Sequence, residues 1–283
     1  MMTRSLKEIR VIENTDRQKI NQLIDYGLYV HRHLDWFAPT DWVGRQPFMG
    51  VVVNNHLLAA LACPPEPKNI AWIRLFAVSG EITLDDAWRS LWSATQEIIK
   101  RENLVIAAIP VYPWFQNLLI SSQFKHINDV ILLEWSHFPL PSFPEASLFS
   151  IREIVSEDLL DIAQVDKNAF NPLWQNSRSS LELAWTQSSL ATVAEVNGEI
   201  IGYQISTATS SGGHLARLAV LPDWQGCGVG RALVNHLLTR FHLWGSLKVT
   251  VNTQVDNQAS LALYQKTGFV RTGVSYKVYQ MEP

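Results

Sequence analysis

Between Leu215 and Phe241 the chain reads L-A-R-L-A-V-L-P-D-W-Q-G-C-G-V-G-R-A-L-V-N-H-L-L-T-R-F. The apolar run Leu215 to Leu221 reads as a strand. Pro222 and Asp223 stop it, because proline brings no N–H to a ladder. Gly226, Gly228 and Gly230 follow at alternate positions. Val229, Leu233, Leu237, Leu238 and Phe241 then recur at helical spacing. Strand, glycine loop and helix in that order constrain the fold more than any other stretch. Glycines admit positive φ and let another molecule approach the main chain. The first N–H groups of a helix lack an intrahelical partner and carry the positive end of its dipole. A phosphate binds readily at such a place.

Two phosphate motifs are excluded by the spacing. A P-loop needs Gly-Lys-Ser/Thr, and here Arg231 and Ala232 follow Gly230. A dinucleotide fingerprint needs glycine at its sixth position, which counted from Gly226 is Arg231. What is met is Q-x-x-G-x-G, by Gln225, Gly228 and Gly230. A second pattern follows, N-x-A-x-x-x-x-Y-x-x-x-G-F, in Asn257, Ala259, Tyr264, Gly268 and Phe269. Both together, in order and separated by one helix and one strand, resemble the GCN5-related N-acetyltransferases (GNAT). The second motif resembles most the ribosomal-protein and N-terminal acetyltransferase branches of that family.

Composition bounds the rest. The chain has 283 residues, 47% of them apolar, with 23 Lys+Arg against 26 Asp+Glu and a net charge of −3. That length accommodates two domains, and no basic excess suggests a nucleic-acid partner. The two cysteines, Cys63 and Cys227, make no disulfide framework, and no metal-ligand spacing exists. The opening M-M-T-R-S-L-K-E-I-R has no apolar run of signal-peptide length. No stretch approaches the ~20 apolar residues of a membrane span. A soluble protein of the reducing cytoplasm, without membrane partners, is expected.

Taken in order, Leu6 to Glu13 reads as a strand. Helical spacing from Ile20 continues through Leu28 to His31. Strands at Met49–Val53 and His56–Cys63 flank an Asn54-Asn55 turn. An apolar strand covers Ile70 to Val78, a helix about Asp85 to Arg101, a strand Leu104 to Ile109 and a short helix Pro113 to Ser121. A strand pair spans Phe124 to Trp135. Pro139, Pro141 and Pro144 read as a linker. The order then repeats: strand at Leu148, helix to about Phe170, loop Asn171 to Arg178, helix near Leu181, and a hairpin across Asn197-Gly198. The organising strand–loop–helix follows, then strand Leu247–Asn252, helix Asn257–Lys266, and the last strands Phe269 to Met281. I-R-L-F-A-V at Ile73 parallels L-A-R-L-A-V at Leu215. The expected architecture is α/β (α+β): two tandem GNAT-like domains, each a mixed, mostly antiparallel sheet flanked by helices. The boundaries are 1–138, a Pro-rich linker at 139–147, and 148–283.

The first copy departs where chemistry is expected. Its loop S-G-E-I-T-L-D-D has one glycine, and Glu81, Asp85 and Asp86 would repel a pyrophosphate. Leu119 stands where the second copy has Tyr264. The first domain is therefore expected not to bind CoA.

The resemblance implies an acetyl-CoA co-substrate, no metal, and direct transfer to an amine: a small molecule, or a protein N-terminus or lysine. Gln225, Gly226, Cys227, Gly228, Val229, Gly230 and Arg231 would hold the pyrophosphate. Leu218, Ala219 and Val220 would pair with the pantetheine arm, and a main-chain N–H near Val220 would meet the thioester oxygen. Asn257 would hold the pantetheine or cap its helix. Tyr264 stands at the general-acid position. An amine of pKa about 10.4 must lose its proton before it attacks. One branch uses a Glu five residues before the helix Asn; here that place is Asn252, which is no base. Another branch's place falls on His214, whose imidazole suits the task; Glu195 is second in line. Cys227 near a helix N-terminus is a conceivable nucleophile, but the family transfers directly. Trp174 walls an acceptor site or packs under its own loop. The rival reading is a non-catalytic acyl-CoA-binding or regulatory protein.

Overall fold

The computed structural model describes residues 7–136, 148–210 and 212–283. They divide into two compact units. One runs to Ile127 and takes in Lys277–Pro283; the other is Asn128–Tyr276. The linker expected at 139–147 lies outside the described residues. The division differs from a cut at 138–148 because two long strands each serve both units. Lys125–Ser136 and Val270–Met281 are single twelve-residue strands, where the sequence suggested several shorter ones.

The first unit holds β1 (Lys7–Val11), α1 (Arg17–Tyr26), β2 (Tyr29–Arg32), β3 (Phe48–Val53), β4 (His56–Ala62), β5 (Ile70–Trp72), β6 (Leu75–Val78), α2 (Leu84–Glu102), β7 (Val105–Ala108) and α3 (Pro113–Ser121). Five strands pair in the order β1-β3-β4-β6-β2, all antiparallel. Asn54 and Asn55 both take positive φ, as a two-residue hairpin between twisted strands requires. Alternation along the strands sorts the core. Val51, Ala59, Leu61, Phe76 and Val78 pack with Ala87, Trp88, Leu91 and Trp92 of α2. Ala60, Ala62, Leu75 and Ala77 pack with Ile20 and Leu23 of α1. β5 pairs parallel with β7, which also pairs with Tyr279–Met281 from the chain's end.

One expectation is corrected here. Residues 27–31 do not continue α1. A Cβ on Gly27 would lie 2.4 Å from the Leu23 carbonyl oxygen, and the helix stops there. Tyr-Val-His-Arg, with β-branched and aromatic members, forms β2 instead, pairing along β6.

The second unit continues with most of β8 (Lys125–Ser136), then β9 (Ser150–Glu153), α4 (Leu159–Ala169), α5 (Arg178–Thr186), β10 (Leu190–Val196), β11 (Glu199–Thr209), β12 (Gly212–Val220), α6 (Val229–Leu243), β13 (Lys248–Gln254), α7 (Gln258–Lys266) and β14 (Val270–Met281). Its strands run β8-β13-β12-β11-β10-β9. All pairs are antiparallel except β12 with β13. Ile131, Leu133 and Trp135 of β8, at alternate positions, join Val234, Leu237, Leu238 and Phe241 of α6 in one core. α6 lies so close that a Cβ on Gly213 would be 2.1 Å from the Phe241 ring.

The internal repeat extends to single side chains. I-R-V-I-E-N-T-D at Ile9–Asp16 and I-R-E-I-V-S-E-D at Ile151–Asp158 fold alike. Arg10 bonds Asp16 at 2.7 and 2.8 Å, and Arg152 bonds Asp158 at 2.6 and 2.9 Å. Each carboxylate also accepts a backbone N–H three residues upstream, closing the turn that starts the helix.

Candidate active site

The site is made by a strand whose neighbour leaves it. β12 pairs with β13 only over Gly213–Leu215. Beyond that the two strands part, and the chain enters the glycine loop. Against β11, Leu221 donates its N–H to the Ile201 carbonyl (2.9 Å), which sets the alternation of bonding. The main-chain groups of Leu218 and Val220 therefore point away from β11, into the gap. The Gln225 side chain donates to the Val220 carbonyl at 3.1 Å.

At the end of that edge stands the loop. Gly226 and Gly228 have φ of +77° and +89°, which side chains tolerate poorly. Gly228 caps α6 without a side chain, and no acid occupies the first turn. The leading N–H groups of α6 are thus left for a ligand. A cavity of about 700 Å³ joins these parts. Leu218, Ala219, Val220, Gln225, Gly226, Cys227, Gly228, Gly230, Arg231 and Asn257 line it. Val229 does not; its side chain is buried in the core beneath. Asn257 accepts the Ser260 N–H at 3.1 Å, so it caps α7 and lines the cavity together.

The residues expected to move protons are placed differently, outside the cavity lining. Tyr264 is buried against Phe269, ring centroids 5.5 Å apart, and burial pushes its phenol above the ordinary value. His214 lies earlier on β12, half-buried, with Nδ1 2.9 Å from the Thr250 hydroxyl. Burial lowers its pKa, so the ring is neutral at neutral pH. Across the sheet Thr250 sits opposite Glu134 of β8, a charge that reading β8 with the first domain concealed. Glu195 is on β10, two strands from β12, and is held by Arg152 at 2.8 Å.

A buried cluster beside the cavity was missed by sequence reasoning. Asp166 of α4, fully buried, accepts from the Tyr203 hydroxyl (2.5 Å), from Arg217 Nε (2.7 Å) and from the Asn176 N–H (2.7 Å). Arg217 also donates to the Trp174 carbonyl (2.7 Å) and lies 3.6 Å over the ring of Phe170, a cavity-lining residue. Burial and the Asp166 charge hold the Tyr203 phenol well above its ordinary pKa. The signal was present: an arginine inside an apolar strand, and an aspartate adjoining Val165 and in step with Ile162, call for each other.

The first unit lacks the same opening. There β2 lies along β6 opposite β4, and Leu28 donates to the Val78 carbonyl at 2.8 Å. The start of α2 is spent on itself: Thr83 accepts the Asp86 N–H, and Asp85 and Asp86 occupy the first turn.

Comparison with known proteins agrees with this geometry. Residues 157–269 match the acetyltransferase (GNAT) family. A GCN5-related N-acetyltransferase from Sphaerobacter thermophilus has a similar structure, 17% identical, with TM-score 0.62 over 98% of this chain and 95% of that one. A tandem GNAT protein from the clavulanic acid biosynthesis pathway is 14% identical, with TM-score 0.65 over 98% of both chains. A probable N-acyltransferase from Enterococcus faecalis is 9% identical, with TM-score 0.75 over 98% of this chain and 72% of that one. No helix among the described residues is long and apolar enough to cross a membrane. The chain therefore carries an acetyltransferase (GNAT) family domain at 157–269, within a fold shared over nearly its whole length with a tandem GNAT protein.

Proposed function

We propose that the second unit is an acetyl-CoA-dependent N-acetyltransferase that passes its acetyl group directly to a primary amine. One observation carries this reading: an open strand edge, Leu218–Val220, ends at a glycine loop and uncapped helix start in one cavity. The loop N–H groups suit a pyrophosphate, and the edge suits an amide-bearing arm lying alongside as an extra strand. Holding the thioester by both leaves its carbonyl near the Leu218 end, where a bound amine attacks without a covalent enzyme intermediate. An N–H of the open edge would polarise the carbonyl oxygen. His214, neutral and oriented by Thr250, would take the amine proton through water. Tyr264 would donate to the leaving thiolate. Acceptors in keeping with this reading are a small-molecule amine, or a protein N-terminus or lysine.

A second reading, acyl-CoA binding without catalysis, is favoured by Tyr264, His214 and Glu195 all standing outside the cavity lining. Calorimetric titration with acetyl-CoA tests the common part. One site per chain is expected, and it should vanish in Gly228→Glu, which puts a side chain and a negative charge at a positive-φ position. No binding would remove both readings. An amine screen that detects released thiol then separates them.

A further inference from the structure

The cavity has a direction. Its phosphate end is the loop Gly226–Gly230, and from there the open edge runs back through Val220 to Leu218. The next residue back, Arg217, stacks on Phe170, which with Ala169 also lines the cavity. A thioester anchored by its phosphates at one end brings its acyl carbons to the other. We propose that Phe170 is the wall at that end and confines the acyl group to short chains such as acetyl and propionyl, and that Asp166, Tyr203 and Arg217 are positioning residues that fix this wall. The inference rests on the reading above and deepens it.

The wall is held from both sides. The Phe170 ring is covered by the Arg217 guanidinium at 3.6 Å, and its N–H donates to the Asp166 carbonyl at 3.1 Å. Arg217 cannot move off the ring without leaving Asp166 and the Trp174 carbonyl. Asp166 cannot turn without abandoning Tyr203 and the Asn176 N–H. A buried ion pair contributes little net stability against apolar residues of the same volume, but it fixes geometry, because breaking one partner leaves the other charged and unpaired. Here the geometry fixed is that of the Phe170 ring.

The test is calorimetric titration of CoA, acetyl-CoA, butyryl-CoA and hexanoyl-CoA into the full chain and into Phe170→Ala, Asp166→Asn and Tyr203→Phe. A methylene that finds apolar cover is worth about fourfold in affinity. The wild-type chain should gain nothing from chain length and bind hexanoyl-CoA more weakly than acetyl-CoA. In Phe170→Ala the ratio of hexanoyl to acetyl affinity should rise by up to about 250-fold, four methylenes at about fourfold each. Asp166→Asn should move the ratio in the same direction. Tyr203→Phe, which keeps the ring and the ion pair, does so more mildly and serves where Asp166→Asn does not fold. Wild-type binding that ignores chain length, or a ratio unmoved by Phe170→Ala, overturns the assignment of Phe170. A ratio moved by Phe170→Ala but not by Asp166→Asn or Tyr203→Phe overturns the positioning role. Failure of CoA itself to bind overturns the parent reading, and this one with it.

Discussion

Tyr264 shows how a residue can stand at the right place in a motif and still owe its behaviour to burial. Its ring packs on Phe269 and its pKa is raised, so the hydroxyl keeps its proton at every working pH. Against a thiolate whose parent thiol has pKa about 8.5, full proton transfer from such a phenol runs uphill. In the proposed transfer its service would then be a hydrogen bond to developing charge. Tyr264→Phe keeps the packing and should leave acetyl-CoA binding intact while lowering kcat by about a hundredfold. Because the group does not titrate near neutrality, the loss should be the same across the pH–rate profile. Steady-state kinetics on an amine found by the screen would check it, and unchanged kcat would end the role. Residues named by motif were legible because backbone demands show in the sequence: Gly228 takes φ of +89°, and glycine is the residue that does so at least cost. Asp166 and Arg217 were not legible as a pair. They are far apart in the chain, and only the fold decides which buried cation meets which buried anion.

At the scale of elements, β2 separates the two copies. In the sequence it continues the helical spacing of α1, and hydrophobic periodicity alone cannot tell a short apolar run in a helix from one in a strand. What decided it was tertiary: an unsatisfied edge on β6 that Tyr29–Arg32 could pair with. That the first copy binds no CoA was expected from Glu81, Asp85 and Asp86; the edge of β6 covered by β2 is a second reason to expect it. β2 also carries a measurable signature. His31 is buried against Phe115 with rings 4.1 Å apart, and burial lowers its pKa from 6.5 to about 4. Half-buried His33, stacked on Trp72, is lowered as well. With the folded value below the unfolded one, the stability these rings contribute is complete above pH 6.5 and is lost as pH falls towards 4. For His31 the loss is about 3 kcal/mol at about 1.4 kcal/mol per pH unit. Asp35, whose burial raises its pKa, offsets part of this at the acid end. Asp16, lowered to about 2 by Arg10, acts only below that window. Urea unfolding of the first unit from pH 7 to pH 4 should show the slope, and His31→Gln should flatten it. A wild-type profile already flat would mean that β2 is loose on its edge.

The whole molecule is threaded so that its end belongs to its beginning. Lys277–Pro283 falls in the first unit, where Tyr279–Met281 pair with β7 and Tyr279 enters the core. Removing these residues should destabilise the first unit by about 3–5 kcal/mol, the usual cost of losing a large core aromatic. Amide exchange at Ile106–Ala108 should speed up accordingly; unchanged protection there would show that the core closes without its last strand. Ligand binding should respect the same division. At about a hundredfold excess over its Kd, acetyl-CoA stabilises the folded state that binds it by about 2.7 kcal/mol. Slower exchange is expected at Leu218, Val220 and the first turn of α6, where open backbone groups gain partners. None is expected at Phe76, Val78 or residues 79–86, whose edge β2 covers and whose helix start Thr83 caps. Protection appearing at 79–86 would mean that β2 can leave β6 and that the first copy takes a ligand after all. Protection confined to the second unit would mean that one copy of the repeat opens a strand edge for its ligand while the other keeps that edge covered with its own chain.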